Sequence, residues 1–333
     1  MIMHRIAVLT SGGDSPGMNP AIRAVTRTAL HAGCEVFGVY RGYAGLIQND
    51  MRRLEYKDVG GIIQRGGTML LTARSPEFMT PAGREKAMEN LRWHGIEGLV
   101  VIGGDGSLRG AAALTAEHGL PTICLPGTID NDMYGTDMSI GADTALNTVL
   151  EAIDKIKDTA SSHQRAFIIE TMGRHSGYLA LMGGLAGGAE AILIPEIPDT
   201  TIEDVVEVIK RSFRKGKTNC VIVAAEGAHL NAQTIQDQIN QIDAEESGFS
   251  FSFRTRATIL GHIQRGGSPS AFDRTLATRL GSGAVEFLLS GKNGGLVGMQ
   301  SRKLTVTPYD EVLANPKVLD AKLYELSKIL DRY

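Results

Sequence analysis

The feature that most limits what this chain can fold into is a regular alternation of short apolar runs with longer segments of helical period. The runs are IAVLT (6–10), EVFGVY (35–40), GLVVIGG (98–104), PTICLPG (121–127), AFIIET (166–171), AILIPE (191–196), NCVIVAAEG (219–227) and ATILGH (257–262). Runs this short and apolar fit parallel strands covered on both faces. Between them the pattern predicts helices over Met18 to Ala32, with Pro20 in the first turn, and from Thr80–Pro81 to near Gly95. Ala142, Leu146, Val149, Ile153 and Ile156 give helical spacing over 141–157, and helices are expected at 201–214 and 270–290. Strand–helix alternation of this kind predicts an α/β fold of doubly wound, mainly parallel sheets with right-handed crossovers.

The 333 residues suggest about two domains, at roughly 150 residues each. A 43% hydrophobic and 21% charged composition supports sizeable cores and excludes a disordered chain. The 40 glycines follow no collagen-like period and cluster between apolar runs. A net charge of −3 gives no support to a nucleic-acid or membrane-surface role. Cys34, Cys124 and Cys220 lie far apart, with neither metal spacing nor a disulfide framework. The N-terminal apolar run is too short for a signal sequence or a membrane span, so a cytoplasmic setting is expected.

Three strand ends carry the chemistry. IAVLT runs into SGGDSPGMN, GLVVIG into GDGSLRG, and PTICL into PGTIDND. Doubly wound sheets bind ligands beyond the carboxyl ends of their strands. Glycine lets backbone amides approach phosphate oxygens, and the following helix N-terminus favours negative charge. Neither the dinucleotide fingerprint nor a P-loop is present, so phosphate binding uses another scheme. Asp105 in GGDGS would repel phosphate unless a cation lies between, and Mg²⁺ held by one or two carboxylates suits that position. The alternative is that Asp105 caps a helix starting near Gly106.

PGTIDNDMYGT (126–136) adds Thr128, Asp130 and Asp132. A phosphoryl acceptor must lose a proton, which one carboxylate can take, while the second stands near the metal. In an extended loop Asp130 and Asp132 would face similar directions and Asn131 away. An Asx turn that only shapes the loop is the other reading. Arginines lie beside glycines at several strand ends: Arg74, Arg165, Arg174, Arg256 and Arg265. Arginine grips phosphate bidentately, although any one of these also fits a surface ion pair. His262 fits a structural role as well as a ligand role, and Glu226 fits either sugar hydroxyls or a turn cap. GGIIQRGGT (60–68) and HIQRGGS (262–268) share QRGG, a short internal echo with no longer repeat around it.

Through LTSGGDSPGMNPAIR, GGDGS, PGTIDND, SSHQR, ETMGRHSG and LGHIQRGGSP the sequence resembles the ATP-dependent 6-phosphofructokinases of bacterial type, over nearly the whole chain. The resemblance implies two sandwich domains. The ATP-binding one spans 1–140 with about 257–305; the fructose 6-phosphate-binding one spans 141–256 with the C-terminal helix. It implies transfer of the ATP γ-phosphoryl group to the 1-hydroxyl of fructose 6-phosphate with Mg²⁺, giving fructose 1,6-bisphosphate and ADP in glycolysis. It also implies a homotetramer with shared active sites. Asp130 matches the general base, and Thr128 and Asp132 match its neighbours at the substrate and Mg²⁺. Asp105 matches the Mg²⁺-linked residue, and Arg74 a residue stabilising the transferred group. Gly13, Tyr43, Arg74, Ser75, Gly104, Asp105, Gly106, Ser107 and Gly110 match the ATP site. Arg165, Met172, Gly173, Arg174, Glu226, Arg256, His262 and Arg265 match the sugar-phosphate site, with Arg165 and Arg256 supplied by a neighbouring subunit.

Pyrophosphate-dependent relatives typically carry Asp at the position of Gly106 and Lys at that of Gly127, so the two glycines favour ATP. For an ADP and phosphoenolpyruvate effector pocket the matching residues are Arg23, Arg27, Gly188, Glu190, Lys215 and Lys217, with Lys157 where arginine is common. Tyr56, Lys57 and Gly61 depart from the Arg, Tyr and Asp often found there. Loss of a bidentate fork should weaken anion binding, so allosteric control is expected to be reduced or altered. Two rival functions stand beside the kinase: a pyrophosphate-dependent phosphotransferase and a catalytically silent sugar-phosphate or nucleotide sensor. The donor-site glycines speak against the first, and the intact Asp105, Asp130, Asp132 and Arg74 against the second.

Overall fold

The computed structural model describes residues 3–245 and 255–331. In chain order the first elements are β1 (Arg5–Ser11), α1 (Met18–His31), β2 (Glu35–Val39), α2 (Gly42–Gln48), β3 (Met51–Leu54), α3 (Pro81–Trp93) and β4 (Gly98–Gly103). There follow α4 (Asp105–His118), β5 (Thr122–Pro126), α5 (Ala142–His163), β6 (Ala166–Thr171), α6 (Tyr178–Gly187), β7 (Ala191–Leu193) and α7 (Ile202–Arg214). The chain continues with β8 (Cys220–Ala225), α8 (Ala232–Glu245), β9 (Thr255–Ile259), α9 (Ala271–Leu289), β10 (Gly295–Gln300) and β11 (Lys303–Pro308). It closes with α10 (Tyr309–Ala314) and α11 (Ala321–Asp331).

The chain divides into two compact units. One comprises Met1–Ile129, Met133–Thr144 and Arg265–Lys317; the other Asp130–Asp132, Ala145–Gln264 and Val318–Tyr333. The first holds a seven-stranded sheet of order β11-β10-β5-β4-β1-β2-β3, and the second a four-stranded sheet of order β7-β8-β6-β9. The four-stranded sheet is parallel throughout, whereas β3 and β11 run antiparallel at the two edges of the larger one. Residues 257–264, expected with the first domain, fall in the second unit because β9 pairs in parallel with β6, Ala166 opposite Thr255.

Each central strand is apolar on both faces, for the reason the sequence pattern suggests. In β1, Ile6 and Val8 enter a core with Ile22 and Val25 of α1 and Leu280 of α9, while Ala7 and Leu9 enter another with Leu91 of α3 and Leu108 of α4. Strands β4 and β5 alternate the same way, and β8 sends Val221 and Val223 to one core and Cys220 and Ile222 to the other. A fully buried side chain of this size contributes about 1.5–3 kcal/mol. Two-faced burial therefore dictates helices on both sides of each sheet.

Local signals fix the ends. Thr80 Oγ1 accepts from the Gly83 N–H with Pro81 at the first helical position, so α3 begins where expected. Thr201 and Asp204 form a capping box that starts α7. The apolar run at 191–196 gives only the three residues of β7, since Pro195 has no N–H to continue a ladder. The β10–β11 hairpin is missing from the sequence reading. Its turn is Ser301–Arg302, both at positive φ (49° and 67°), an arrangement usually announced by Asn-Gly or Asp-Gly. Cys34, Cys124 and Cys220 are buried and take part in no disulfide among the described residues, and burial pushes the Cys124 thiol well up. Among the described residues, no helix is long and apolar enough to cross a membrane.

Candidate active site

In the first unit, β1, β4 and β5 are adjacent and parallel, with Ser11 opposite Gly103 and Gly103 opposite Pro126. The three Gly-rich loops therefore leave the sheet side by side. The strand following β1 lies on one side of it and the strand following β4 on the other. The crevice between β1 and β4 is thus a topological switch point, where open α/β sheets bind ligands.

Hydrogen bonds across long sequence distances lace a fourth segment onto these loops. Thr10 Oγ1 lies 2.8 Å from Thr68 Oγ1 and donates to the Leu71 carbonyl at 2.9 Å, and Thr72 Oγ1 donates to the Gly12 carbonyl at 2.6 Å. This holds the segment that carries exposed Arg74 and half-buried Ser75. Leu71 sits at φ 59°, a left-handed conformation costing a non-glycine residue of order 1–3 kcal/mol. Thr10 and Thr72 escaped the sequence reading because nothing local marks a threonine whose partner is 60 residues away. Arg265 also belongs to this unit. Its Nη1 donates to the Asp14 carbonyl at 3.2 Å, and a Cβ on Gly13 would overlap its guanidinium. The two QRGG stretches meet here: Ser268 Oγ donates to the Gln64 carbonyl at 2.8 Å, and Gly66 packs on the Gly267 backbone.

Helix α4 presents Asp105, Gly106 and Ser107 in its first turn, after Gly104 as N-cap. Asp105 makes no cap; its Oδ2 accepts from Arg109 Nε at 2.9 Å, and its side chain is 47% exposed. Ser107 is buried, its Oγ 3.3 Å from where a Gly12 Cβ would lie, so the β1 and β4 loops touch at this hydroxyl. Tyr43 is buried beneath α4. Its Oη donates to the Ser107 carbonyl at 2.5 Å, its ring stacks on Phe78 at 3.9 Å, and burial pushes its phenol well up. It supports the first turn of α4 from behind. Gly110 is needed for the same reason, since a Cβ there would lie 2.7 Å from the Tyr43 ring. Among the described residues no three His, Cys, Asp or Glu side chains are grouped to hold a metal.

Thr128 follows β5 after Gly127, and Ser139 Oγ donates to its carbonyl at 2.7 Å. A Cβ on Gly127 would come within 3.1 Å of Ile102 Cγ2 and Met18 Cε, whereas one on Gly106 meets nothing within 4 Å. Asp130 and Asp132 are half-buried and belong to the second unit, while Asn131 between them is 3% exposed. Asn131 has φ 49°, so the loop is not extended through it and simple side-to-side alternation does not apply.

In the second unit the strand ends separate the predicted arginines. Met172, Gly173 and Arg174 leave the carboxyl end of β6, with Gly173 at φ 149° and Arg174 at 56°. Glu226, after β8, is a clamp on this turn: its Oε1 accepts from the Gly173 N–H at 3.2 Å and the Arg174 N–H at 2.7 Å. Buried Gln264 Oε1 accepts from the Met172 N–H at 3.2 Å. Gln264 was missed as a candidate, though it lies in the QRGG echo. Exposed His262 follows β9 at this same end. Arg165 precedes β6, and Arg256 stands opposite Phe167 near the start of β9. They therefore occupy the amino end of the sheet, roughly 15–20 Å from Arg174 and Glu226 at about 3.3 Å per strand residue.

The candidate effector residues divide between the units. In the first, Arg23 and Arg27 lie on α1; Arg27 Nη2 donates to the Tyr56 carbonyl at 3.4 Å and its guanidinium stands 5.7 Å from the Tyr56 ring. In the second, Lys157 Nζ donates to the Gly187 carbonyl and to that of Gly188 at 2.9 Å. Glu190 pairs with Lys217 at 3.1 Å and accepts from the Val221 N–H at 2.6 Å, and Lys215 caps α7.

Comparison with known proteins matches residues 5–288 to the family model described as Phosphofructokinase. The chain is 56% identical over 328 residues to the ATP-dependent 6-phosphofructokinase of Bacillus cytotoxicus, covering 98% of this chain and 99% of that protein. It is 55% identical to the protein of that name from Thermotoga neapolitana, covering 98% and 100%. Among solved structures it superposes on phosphofructokinase from Saccharomyces cerevisiae with TM-score 0.83 and 41% identity, over 98% of this chain and 48% of that one. The pyrophosphate-dependent phosphofructokinase of Marinobacter aquaeolei is more distant at 26% identity, with TM-score 0.81 over 96% and 86%. The chain spans about half the length of the yeast structure it matches and nearly all of its bacterial relatives.

Proposed function

From the premise that this chain belongs to the phosphofructokinase family and works as an ATP-dependent 6-phosphofructokinase of glycolysis, we propose how its residues share the reaction. The carrying observation is the trio of Gly-rich loops leaving β1, β4 and β5 side by side at the switch point. Their amides, with the N-terminus of α4, receive the nucleotide phosphates. Gly13, Gly104, Gly106, Ser107 and Ser75 line that site, with Tyr43 and Gly110 supporting α4. Asp105 and Asp132 would hold Mg²⁺, which when bound neutralises phosphate charge.

Asp130 takes the proton from the sugar 1-hydroxyl. Thr128 orients the acceptor, and Arg74 stabilises charge on the transferred group. Met172, Gly173, Arg174, Glu226, His262 and Arg265 receive fructose 6-phosphate, with Glu226 holding the Gly173–Arg174 turn so that Arg174 is presented to it. Arg165 and Arg256 serve the site of a neighbouring copy within a homotetramer. Their support is the separation along the sheet: two residue groups at opposite ends of one sheet do not reach one small substrate.

A coupled assay of fructose 1,6-bisphosphate formation with Mg²⁺ tests the reading. Product is expected with ATP and none with pyrophosphate, since Gly106 and Gly127 stand where pyrophosphate-dependent relatives typically carry Asp and Lys. Product with pyrophosphate alone would reassign the donor, and none with either would remove the enzyme reading.

The effector residues Arg23, Arg27, Lys157, Gly188, Glu190, Lys215 and Lys217 form a weakened ADP and phosphoenolpyruvate site. The support is that Arg27 already donates to Tyr56, and Lys57 to Glu55 at 2.9 Å. Titrating phosphoenolpyruvate at subsaturating fructose 6-phosphate should give at most a shallow response. A steep sigmoidal inhibition reversed by ADP would contradict this.

A further inference from the structure

Asp273 has no part in the roles given above, yet it is fully buried in the first unit. It stands in the first turn of α9, whose N-cap Ser270 accepts from the Asp273 N–H at 3.2 Å. Its carboxylate does not serve its own helix. Oδ1 accepts from the Gly141 N–H at 2.9 Å, and Oδ2 from the Thr144 N–H at 2.8 Å and from Thr144 Oγ1 at 2.5 Å. These donors are at the start of α5, so Asp273 caps a helix 130 residues away in sequence.

The bond is returned. Thr144 Oγ1 accepts from the Ser270 N–H at 2.9 Å, and Asp143 Oδ2 accepts from Ser270 Oγ at 2.6 Å. The starts of α5 and α9 are therefore joined through four side chains, those of Asp143, Thr144, Ser270 and Asp273. Two loops end at this knot. One runs from Gly127 to Gly141 and carries Thr128; the other runs from Arg265 to Ser270. The knot reaches Thr128 in two steps, because Ile140 N–H donates to the Pro126 carbonyl at 2.7 Å and Ser139 Oγ to the Thr128 carbonyl at 2.7 Å. The first loop closes on the knot too. A Cβ on Gly17, at φ 112°, would stand 3.6 Å from Asp273 Cβ, and one on Gly141, at φ 102°, would stand 2.6 Å from Ser15 Cβ.

We infer that Asp273 is a positioning residue for phosphoryl transfer: its buried carboxylate ties the loop bearing Thr128 to the loop bearing Arg265, and so sets the acceptor-side geometry without touching substrate. The inference rests on the assignment of Thr128 and Arg265 to the fructose 6-phosphate side. A carboxylate is required because every bond it makes is accepted. An asparagine keeps the shape but turns an NH₂ group toward an N–H donor.

The test compares Asp273→Asn with the full-length parent. The expected result is a kcat lower by about 10–100-fold, the scale of a small misplacement of reacting groups, with a raised KM for fructose 6-phosphate and an unchanged KM for ATP. Amide exchange in residues 133–144 and 266–273 should quicken, while exchange in α4 stays as in the parent. Thr144→Val, which keeps the carboxylate but removes the hydroxyl bridge, should move the same quantities less. If Asp273→Asn does not fold, that second variant decides. Parental kcat and both KM values in a folded Asp273→Asn would overturn the inference, as would a fall in kcat with no change in local exchange. A parent inactive with ATP and fructose 6-phosphate would strike the functional reading instead, and the exchange comparison would still report on the knot.

Discussion

Asp130→Ala is expected to lower turnover by about 10²–10⁴-fold, the contribution of a positioned general base. ATP binding should remain close to that of the parent, because the loops after β1 and β4, proposed above to receive the nucleotide, are held by contacts that do not involve residue 130. Thr72 on Gly12, Tyr43 on Ser107 and the Ser107 hydroxyl between Gly12 and Gly103 all stay in place. The measurement is steady-state turnover beside equilibrium ATP binding on one preparation. Near-parental turnover would remove Asp130 from the base role. Lost turnover together with lost ATP binding would mean that the loop, and not the carboxylate, had been damaged. Asp130→Asn separates these further, since it keeps the size of the side chain and removes only its capacity to take a proton.

Mixing two inactive variants is expected to restore activity. Arg165→Ala and Asp130→Ala would each abolish most turnover if both residues serve the same reaction. Arg165 lies at the amino end of β6 and the Met172–Arg174 turn at its carboxyl end, so one copy of the chain does not bring both to one sugar phosphate. If the neighbour supplies Arg165, a hybrid pair has one site with both defects and one with neither. Random pairing at equal amounts then recovers about a quarter of parental activity across a two-fold interface. The check is activity after co-refolding or subunit exchange, against each variant alone. No recovery in hybrids whose formation has been verified would place both residues in one chain and overturn the shared site. Repeating the mixture with Arg256→Ala should give the same recovery, because Arg256 stands on β9 at that same sheet end.

Much of the fold was legible because its causes are local. A strand buried on both faces must be apolar throughout, and a helix on a sheet must repeat its apolar residues every three to four positions. Thus α1, α3, α5, α7 and α9 all begin within a residue or two of their expected starts, and the strands ending at Ser11, Gly103 and Pro126 were recognisable with the loops that follow them. Those loops announced phosphate chemistry through residue type alone: glycine where backbone must come close, carboxylates where a cation or a proton must be handled.

What the sequence left undecided depends on partners distant in the chain. Glu226 reads as a sugar ligand or a turn cap from the sequence, and only the structure shows its carboxylate on the amides of Gly173 and Arg174; Asp105 reads as a Mg²⁺-linked carboxylate or a helix cap, and only the structure shows its carboxylate on Arg109. Leu71 carries no turn signal in its neighbours, yet it is left-handed. Asp273 looked like one more helix residue. Periodicity, turn chemistry and charge are written within a few residues of one another, so the sequence alone determined the elements, the sheet type and the class of chemistry. Which end of a strand an arginine occupies, and which amide a buried carboxylate accepts from, is set only when chain segments more than a hundred residues apart pack together, and that the tertiary structure alone decided.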